Sequence, residues 1–482
     1  MKKTLFLNPP SFDGFDGGAG ARYPARREVT SYWYPTWLAQ PAALVPGSRL
    51  LDAPPHGIKF QEAVRIASGY ELVIMPACAP SLRNDIKCLE AIKAMNPGVQ
   101  IGFVGPHATV LPEETLQQSH GIDFVCRNEF DYTCLDLARG MAYDRIKGLS
   151  YRANGGGIRH TPDRERLRDL DALPSVLPVY SRDINIEKYF VGYLLHPYIS
   201  FYTGRGCQAN CTFCLWPQTI GGHGYRTRSP EVVIREIEQG KDLFPQAAEW
   251  FIDDDTFTQD RARATAIARG FKRLGLTWSC NTRVNIDYDT LKQLKANGLR
   301  VLVVGFESGN QEILNRIRKG ATLEMAREFM GNCRLLGIKV HGTFILGLPI
   351  ESRQTIENTI RFAQELDPYT IQVSIAAPFA GTELYRQAIE NGWLENVDFC
   401  YDSGIQTAAL RYPGLSFDEI EEAVAKMYRR FYFRMKPLLR MLREMSTDRR
   451  VLVRRLREGR EFLQYLRMRK ENGCNQLAPH RQ

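Results

Sequence analysis

Two stretches of this 482-residue chain alternate short apolar, β-branched runs with segments of helical period. From Tyr198 onward six runs read as strands: Tyr198–Thr203, Ala248–Asp253, Leu276–Arg283, Arg300–Phe306, Lys339–Leu346 and Thr370–Ala376. Between them Pro230–Phe244, Arg261–Leu274, Asp289–Asn297, Leu323–Leu336 and Arg353–Glu365 carry helical spacing. Apolar strands separated by helices predict right-handed βαβ units on a parallel sheet. Six units make a partial (βα)6 barrel, whose chemistry belongs at the C-terminal ends of its strands.

Residues 1–145 repeat the alternation. Thr4–Asn8, Arg49–Asp52, Glu71–Pro76, Gln100–Val104 and Asp123–Cys126 read as strands, with helical segments at Phe60–Ala67, Asn84–Met95, Glu113–Ser119 and Tyr132–Met141. This predicts a doubly wound sheet with a ligand across its strand ends. Residues 146–197 hold breakers such as Gly155–Gly157 and Leu173-Pro174-Ser175, and read as a connector with a small hairpin at Gly148–Ala153 and Ile158–Thr161. The expected organisation is therefore α/β throughout 1–145 and 198–395, joined by 146–197 and followed by a helical region, 396–482.

In that last region Phe431, Met435, Leu438, Leu439, Leu442 and Met445 recur at helical intervals, and Leu452, Leu456, Leu463 and Leu466 continue the stripe. Charge makes it distinctive. Arg429–Lys470 holds 15 Lys/Arg and 4 Asp/Glu, +11 against a whole-chain +9, so the remainder is near neutral at −2. A basic amphipathic helix suits anionic lipid headgroups, and equally an ordinary helix docked on the barrel with a solvated basic face. The neutral body, without aromatic stacking motifs at sheet positions, argues against a nucleic-acid partner. No apolar run is long enough to span a membrane and the N-terminus lacks a signal-peptide core. Eleven cysteines without small-domain spacing point to reduced thiols and a cytoplasmic setting.

Three of those cysteines share one loop, Cys207-Gln-Ala-Asn-Cys211-Thr-Phe-Cys214, directly after the first barrel strand. Three thiolates hold three irons of a four-iron cluster and leave the fourth iron open, where electron-transfer clusters have a fourth Cys. The alternative is a structural zinc completed by His223. CxxxCxxC with the aromatic Phe213 before the last Cys resembles the radical S-adenosylmethionine (SAM) enzymes. In that family SAM chelates the open iron and is split by one electron to a 5′-deoxyadenosyl radical, so the resemblance implies catalytic, metal-binding roles for Cys207, Cys211 and Cys214. It also implies a flavodoxin- or ferredoxin-type reductant.

The other strand ends fit the same resemblance. Asp253-Asp254-Asp255 closes strand two, where a carboxylate suits the SAM ammonium; alternation favours Asp254 over Asp253, with helix capping by Asp255 or Thr256 as the competing role. Arg283 ends strand three and could hold the SAM carboxylate through a two-pronged contact. Gly305-Phe306-Glu307-Ser308-Gly309 ends strand four, assigning Glu307 to SAM's ribose or methionyl groups. Gly347-Leu348-Pro349 ends strand five and would shape the adenine side, as would Ala377–Thr382 after strand six. Trp216, Gln218, His223, Tyr225, Arg226 and Arg228 follow the cysteines and are candidates for the substrate mouth.

No Gly-x-Gly-x-x-Gly occurs in residues 1–145, which disfavours a dinucleotide. The strand ends carry Asn8-Pro9-Pro10, Ala53–Gly57 with His56, Pro80-Ser81, Gly105–Thr109 with His107, and Asn128-Glu129. This set resembles the cobalamin-binding domain that precedes many radical SAM barrels and implies cobalamin contacts from Asn8, Pro9, His56, Ser81, His107 and Glu129. The Asp-x-His-x-x-Gly motif that donates a cobalt ligand is absent, leaving His107, His56 or no side chain at the metal.

Phe6–Gly20, Tyr34–Ala42 and Cys214–His223 together resemble the hopanoid-biosynthesis-associated radical SAM proteins linked to bacteriohopanetetrol cyclitol ether, a likeness running from Lys3 to about Trp393. That resemblance implies a hopanoid lipid substrate and contraction of its sugar ring to a cyclitol, with peripheral contact at the inner membrane face. The alternative within the same class is a cobalamin-dependent methyltransferase or cyclase acting on a lipid or other hydrophobic substrate.

Overall fold

The computed structural model of the protein describes residues 1–10, 26–153, 155–395, 399–400, 404–446 and 449–475. Its two sheets follow the two alternating stretches of sequence. The N-terminal sheet holds β1 (Thr4–Asn8), β2 (Arg49–Asp52), β3 (Leu72–Pro76), β4 (Gln100–Val104), β5 (Phe124–Cys126), β6 (Leu149–Arg152) and β7 (Ile158–His160), in the order β2-β1-β3-β4-β5-β6-β7. The first five are parallel, so Asn8, Asp52, Pro76, Val104 and Cys126 end on one edge. β6 and β7 are antiparallel. The hairpin read in the connector thus extends this sheet and covers the edge that β5 would otherwise present.

A short ribbon, β8 (Tyr198–Phe201) leading into β9 (Gly204–Arg205) and β10 (Arg226–Thr227), opens the second unit. β11 (Glu249–Ile252), β12 (Trp278–Thr282), β13 (Leu299–Glu307), β14 (Lys339–Leu346) and β15 (Thr370–Ile375) follow in the order β15-β14-β13-β12-β11-β8, all parallel. This is the partial barrel expected. Its helices begin on caps: Ser229, Asp260, Asp287, Thr322 and Ser352 each accept a hydrogen bond from a backbone N–H of the first turn. A helix at Gln311–Arg316, short and flanked by breakers, has no counterpart in the sequence reading.

An open barrel leaves β15 with unpaired backbone groups. The helix Phe417–Tyr432 covers them. Its Tyr432 and Tyr428 hydroxyls accept the N–H groups of Ile371 and Val373, each at 2.9 Å, and Gln406 Oε1 accepts Ile375 N–H at 2.7 Å. The tail therefore docks on the barrel, but only in part. Leu466, read as one stripe with Leu456 and Leu463, is 5 % exposed and belongs to the docked face, whereas those two are 59 and 50 % exposed. Among the described residues no helix is long and apolar enough to cross a membrane.

Candidate active site

The cysteine loop is built by a backbone reversal and one bracing side chain. β9 pairs antiparallel with β10, closing the segment between Gly206 and Tyr225. Gly206 has φ +89°, and a Cβ there would lie 2.3 Å from Gly224 O, so only glycine starts this loop. Cys207 N–H donates to Gly222 O at 3.2 Å. Gln218 Nε2 donates to the carbonyls of Cys211, Thr212 and Cys214 at 3.1, 3.2 and 2.7 Å, while its Oε1 accepts Glu383 N–H. One amide thus holds the backbone of two cysteines at once. Cys207 and Cys211 are buried and Cys214 half-buried, with Phe213 packed against the core. Cys207 Sγ lies 3.5 Å from Thr256 Oγ1, and Arg283 Nη1 donates to Cys211 Sγ at 3.7 Å.

A zinc site would need His223 beside the three thiols. His223 is exposed, with Nδ1 3.2 Å from Ala209 O. Among the described residues no three His, Cys, Asp or Glu side chains gather closely enough to hold a single metal. Three thiols from one loop, two buried and one half-buried, suit a cluster whose irons take one thiolate each.

The acids after β11 divide their work differently from the expectation. Asp254 is fully buried and its carboxylate is taken up by the chain itself: Thr203 N–H at 2.6 Å, Thr203 Oγ1 at 2.7 Å, Gly204 N–H at 3.0 Å and Tyr225 Oη at 2.7 Å. Burial raises its pKa, against Arg263 and these donors, which lower it. Asp254 therefore clamps the start of the cysteine loop and is not turned toward a ligand. Alternation along the strand fails here because the loop folds back over the strand end. Asp253, held by Asn281 Nδ2 at 3.0 Å, is the remaining strand-end acid suited to an ammonium.

Two further assignments change in the same way. Arg283 Nη2 donates to Lys319 O while Nη1 faces Cys211 Sγ, so the guanidinium is engaged with the cluster loop rather than open for a two-pronged carboxylate. Glu307 forms a buried ion pair with Lys319 at 2.6 Å. It sits at φ +62°, a strained region for a non-glycine residue. Its side chain folds over Gly305, where a Cβ would lie 2.1 Å from Glu307 Oε1; this explains the glycine two positions earlier.

After β14, Pro349 precedes Ile350, a β-branched residue at φ +65°. The turn is held by Glu351, whose Oε2 accepts Gly347 N–H and, at 3.2 Å, Leu348 N–H. Burial pushes the Glu351 carboxyl from 4.5 up to about 8. A group raised in the folded state contributes stability that is whole below its unfolded value and lost as pH rises through the folded one. Thermal unfolding midpoints should accordingly fall between about pH 5 and pH 8, and Glu351→Gln, which keeps an acceptor but no charge, should flatten that fall.

The N-terminal edge is more committed than expected. His56 Nδ1 lies 2.7 Å from Asp52 O and its Nε2 accepts Asn185 N–H at 3.1 Å, which fixes Nδ1 as the protonated nitrogen and leaves neither free for a metal. Asn8 Nδ2 and Tyr189 Oη both donate to Asp52, each at 2.6 Å. Ser81 donates to Asp85, which burial pushes up to about 7. Pro9 is buried beside Pro10, whose carbonyl accepts Asn84 Nδ2 at 3.0 Å. Glu129 is 4 % exposed in its side chain and bound by Arg226 at 2.9 Å and Leu167 N–H at 3.0 Å, so it ties the two units together instead of facing a ligand. His107 is half-buried in the helix Pro106–Val110, its pKa lowered by burial. That helix packs on Pro217–Gly221, just after the cysteines, so the two strand-end edges face each other.

Several residues at this meeting escaped the sequence reading. Arg205 bonds Asp131 at 2.6 and 3.1 Å, with both side chains 5 % exposed. Arg205 also lies over Trp37, which stacks on Trp216 at 4.6 Å and donates to Tyr202 Oη. Tyr225, Arg226 and Arg228, taken as mouth residues, bond Asp254, Glu129 and Glu236 respectively and are structural braces. No local pattern marks Arg205–Asp131 or Arg226–Glu129, whose partners lie 74 and 97 positions apart.

Comparison with known proteins now decides the class. Residues 201–363 match the Radical SAM superfamily. The chain is a radical SAM enzyme. Its cysteine loop falls inside the matched segment, and the cofactors of that class are a [4Fe-4S] cluster and SAM. An uncharacterised methyltransferase of Pyrococcus horikoshii is 29 % identical over 452 residues, covering 91 % of this chain and 94 % of that protein. The hopanoid C-3 methylase of Methylococcus capsulatus is 26 % identical over 323 residues, 63 % of this chain and 61 % of that one. The radical SAM methyltransferase TsrM of Kitasatospora setae, solved with cobalamin and a [4Fe-4S] cluster, superposes with a TM-score of 0.67 at 16 % identity over 97 % of this radical SAM enzyme and 99 % of TsrM. That likeness shows a shared fold across both units.

Proposed function

We propose that this radical SAM enzyme is a cobalamin-dependent methyltransferase acting on a hydrophobic substrate of the polycyclic lipid class. The observation that carries the reading is the facing of two strand-end edges, one bearing the cysteine loop and the other the turns after β1, β3 and β4. A reactive carbon between them would lie within reach of both. Among the relatives that span most of the chain one is named as a methyltransferase and two as anaerobic magnesium-protoporphyrin IX monomethyl ester cyclases; the shorter match to the hopanoid methylase supports methyl transfer and motivates the substrate class.

When bound, the cluster and SAM supply a carbon-centred radical and cobalamin supplies a methyl group. The chain's own part is to hold and shield. Cys207, Cys211 and Cys214 would each ligate one iron. Arg283, donating to Cys211 Sγ, would hold that sulfur in place at the cluster. Asp253 would take the SAM ammonium, and the polar groups around Glu307 and Pro349 the nucleoside end. The turns at Asn8-Pro9, Ser81 and His107 would hold the corrin, with His107 the one histidine of that edge not tied by both ring nitrogens. The Trp37–Trp216 stack walls one side against water.

Contraction of a sugar ring has weaker support. It rests on likeness in Phe6–Gly20, of which residues 11–20 lie outside the described structure, and in Tyr34–Ala42 and Cys214–His223. Anaerobic reconstitution with iron, sulfide, cobalamin, SAM, a flavodoxin-type reductant and extracted hopanoids tests the choice. Methyl transfer predicts a product heavier by one CH2 and formation of S-adenosylhomocysteine. An isomer of unchanged mass would overturn it in favour of rearrangement.

A further inference from the structure

The last two helices present a face that the barrel does not use. On Met435–Met445, Met435, Leu439 and Leu442 are 70, 57 and 59 % exposed, and spacings of four and three put them on one side. On Arg449–Asn475, Val453, Leu456 and Leu463 are 61, 59 and 50 % exposed along a single stripe, and Phe433 adds another ring at 56 %. Exposed apolar side chains gathered in this way mark an interaction site.

Charge accompanies them. Arg460 and Arg467 lie in the same stripe as Leu456 and Leu463, at helical intervals. Together with Arg443, Arg449 and Lys470 they form no hydrogen bond or ion pair with described residues, whereas Lys436 and Arg457 of the same helices are paired with Asp367 and Glu461. Between these helices and the starting ends of β14 and β15 lies a cavity of about 790 Å³, lined by Trp33, Ile371, Phe433, Leu438, Met441 and Leu456. Leu456 and Leu463 belong both to the cavity wall and to the exposed stripe, so the cavity opens on this face. His341 and Thr370, also in its wall, stand at strand starts, the end of the barrel opposite the cysteines.

We propose that this face seats the enzyme on an anionic lipid bilayer. Met435, Leu439, Leu442, Val453, Leu456 and Leu463 enter the boundary between headgroups and acyl chains, and the unpaired cations meet lipid phosphates. A second copy of the chain is the poorer occupant, because a two-fold contact through this patch sets these five cations, unpaired among the described residues, against five more. The inference stands on this surface alone and does not depend on the reaction proposed above.

Co-sedimentation of the full-length reconstituted enzyme with vesicles tests it. The protein is expected to bind phosphatidylcholine vesicles containing phosphatidylglycerol far better than phosphatidylcholine alone, with binding weakened by several-fold more salt. Arg460→Ala with Arg467→Ala should weaken binding on the order of thirtyfold, and Leu439→Asp with Leu456→Asp should abolish it. Both double variants should keep wild-type formation of 5′-deoxyadenosine in vesicle-free buffer, which separates this face from the active site and from a failure to fold. Absence of binding, or binding indifferent to phosphatidylglycerol and salt, would overturn the proposal. So would sedimentation-velocity evidence of a dimer that the leucine substitutions dissociate.

Discussion

Replacing Cys211 by alanine is expected to reduce 5′-deoxyadenosine formation to background and to strip the anaerobically purified enzyme of its iron. The argument is one of ligand count. Three loop thiolates leave one open iron, and removing a second ligand leaves the cluster without a stable hold. Cys211 is also the sulfur that receives Arg283, so its loss deprives that guanidinium of its partner. Iron and sulfide analysis with the anaerobic absorption spectrum gives the measurement. Cys333→Ala supplies the control: Cys333 is fully buried in the helix Leu323–Leu336, on another element of the barrel. It should keep the cluster and cost only about 1 kcal/mol of packing. Equal loss of iron in both variants would remove the cysteine loop from its assigned place.

Asp254→Ala should be the most destabilising single substitution in the barrel, by about 3–5 kcal/mol. It strands four donors in a buried setting, two of them backbone N–H groups with nowhere else to turn. It also leaves Arg263, packed beside Tyr225, short of its counter-charge. The first effect to appear should be loss of cluster during purification, because the donors belong to the residues that lead into the cysteine loop. Asp253→Ala offers the contrast. Its carboxylate accepts Asn281 Nδ2, while the backbone N–H groups of Thr203 and Gly204 go to Asp254, so the variant should lose less melting temperature than Asp254→Ala and weaken SAM binding instead. Isothermal titration with SAM and differential scanning calorimetry on the two variants distinguish a clamp from a ligand. A stable Asp254→Ala enzyme with impaired SAM affinity would reverse the assignment.

These two neighbouring acids show how far the sequence could be read. The six barrel strands and the five parallel strands of the N-terminal sheet were legible because their apolar runs are short, bounded by turns and buried on at least one face. The cysteines were legible because their spacing is itself the chemical signal. What alternation could not say was which of Asp253 and Asp254 faces inward, since that depends on a loop folding back from Thr203 and Tyr225. Glu129 and His56 failed for a related reason: a polar residue at a strand end looks available until its partner, Arg226 or Asn185, is brought to it by tertiary packing. Lys319 and Arg205 carried no pattern of their own. The tail was legible as amphipathic, but whether Leu466 belongs with Leu463 is decided by the helix Phe417–Tyr432, against which one side of the last helix rests.

The seam between the two units carries a final implication. Arg205 with Asp131 is a charge pair shut away from water beside the stacked tryptophans, and Arg226 with Glu129 is one shielded on its acidic side. Prising the halves apart would expose those partners to each other's absence, at several kcal/mol for each pair broken. The two sheets should consequently part only as one of them unfolds, giving a single denaturant transition by far-UV and tryptophan signals alike rather than two.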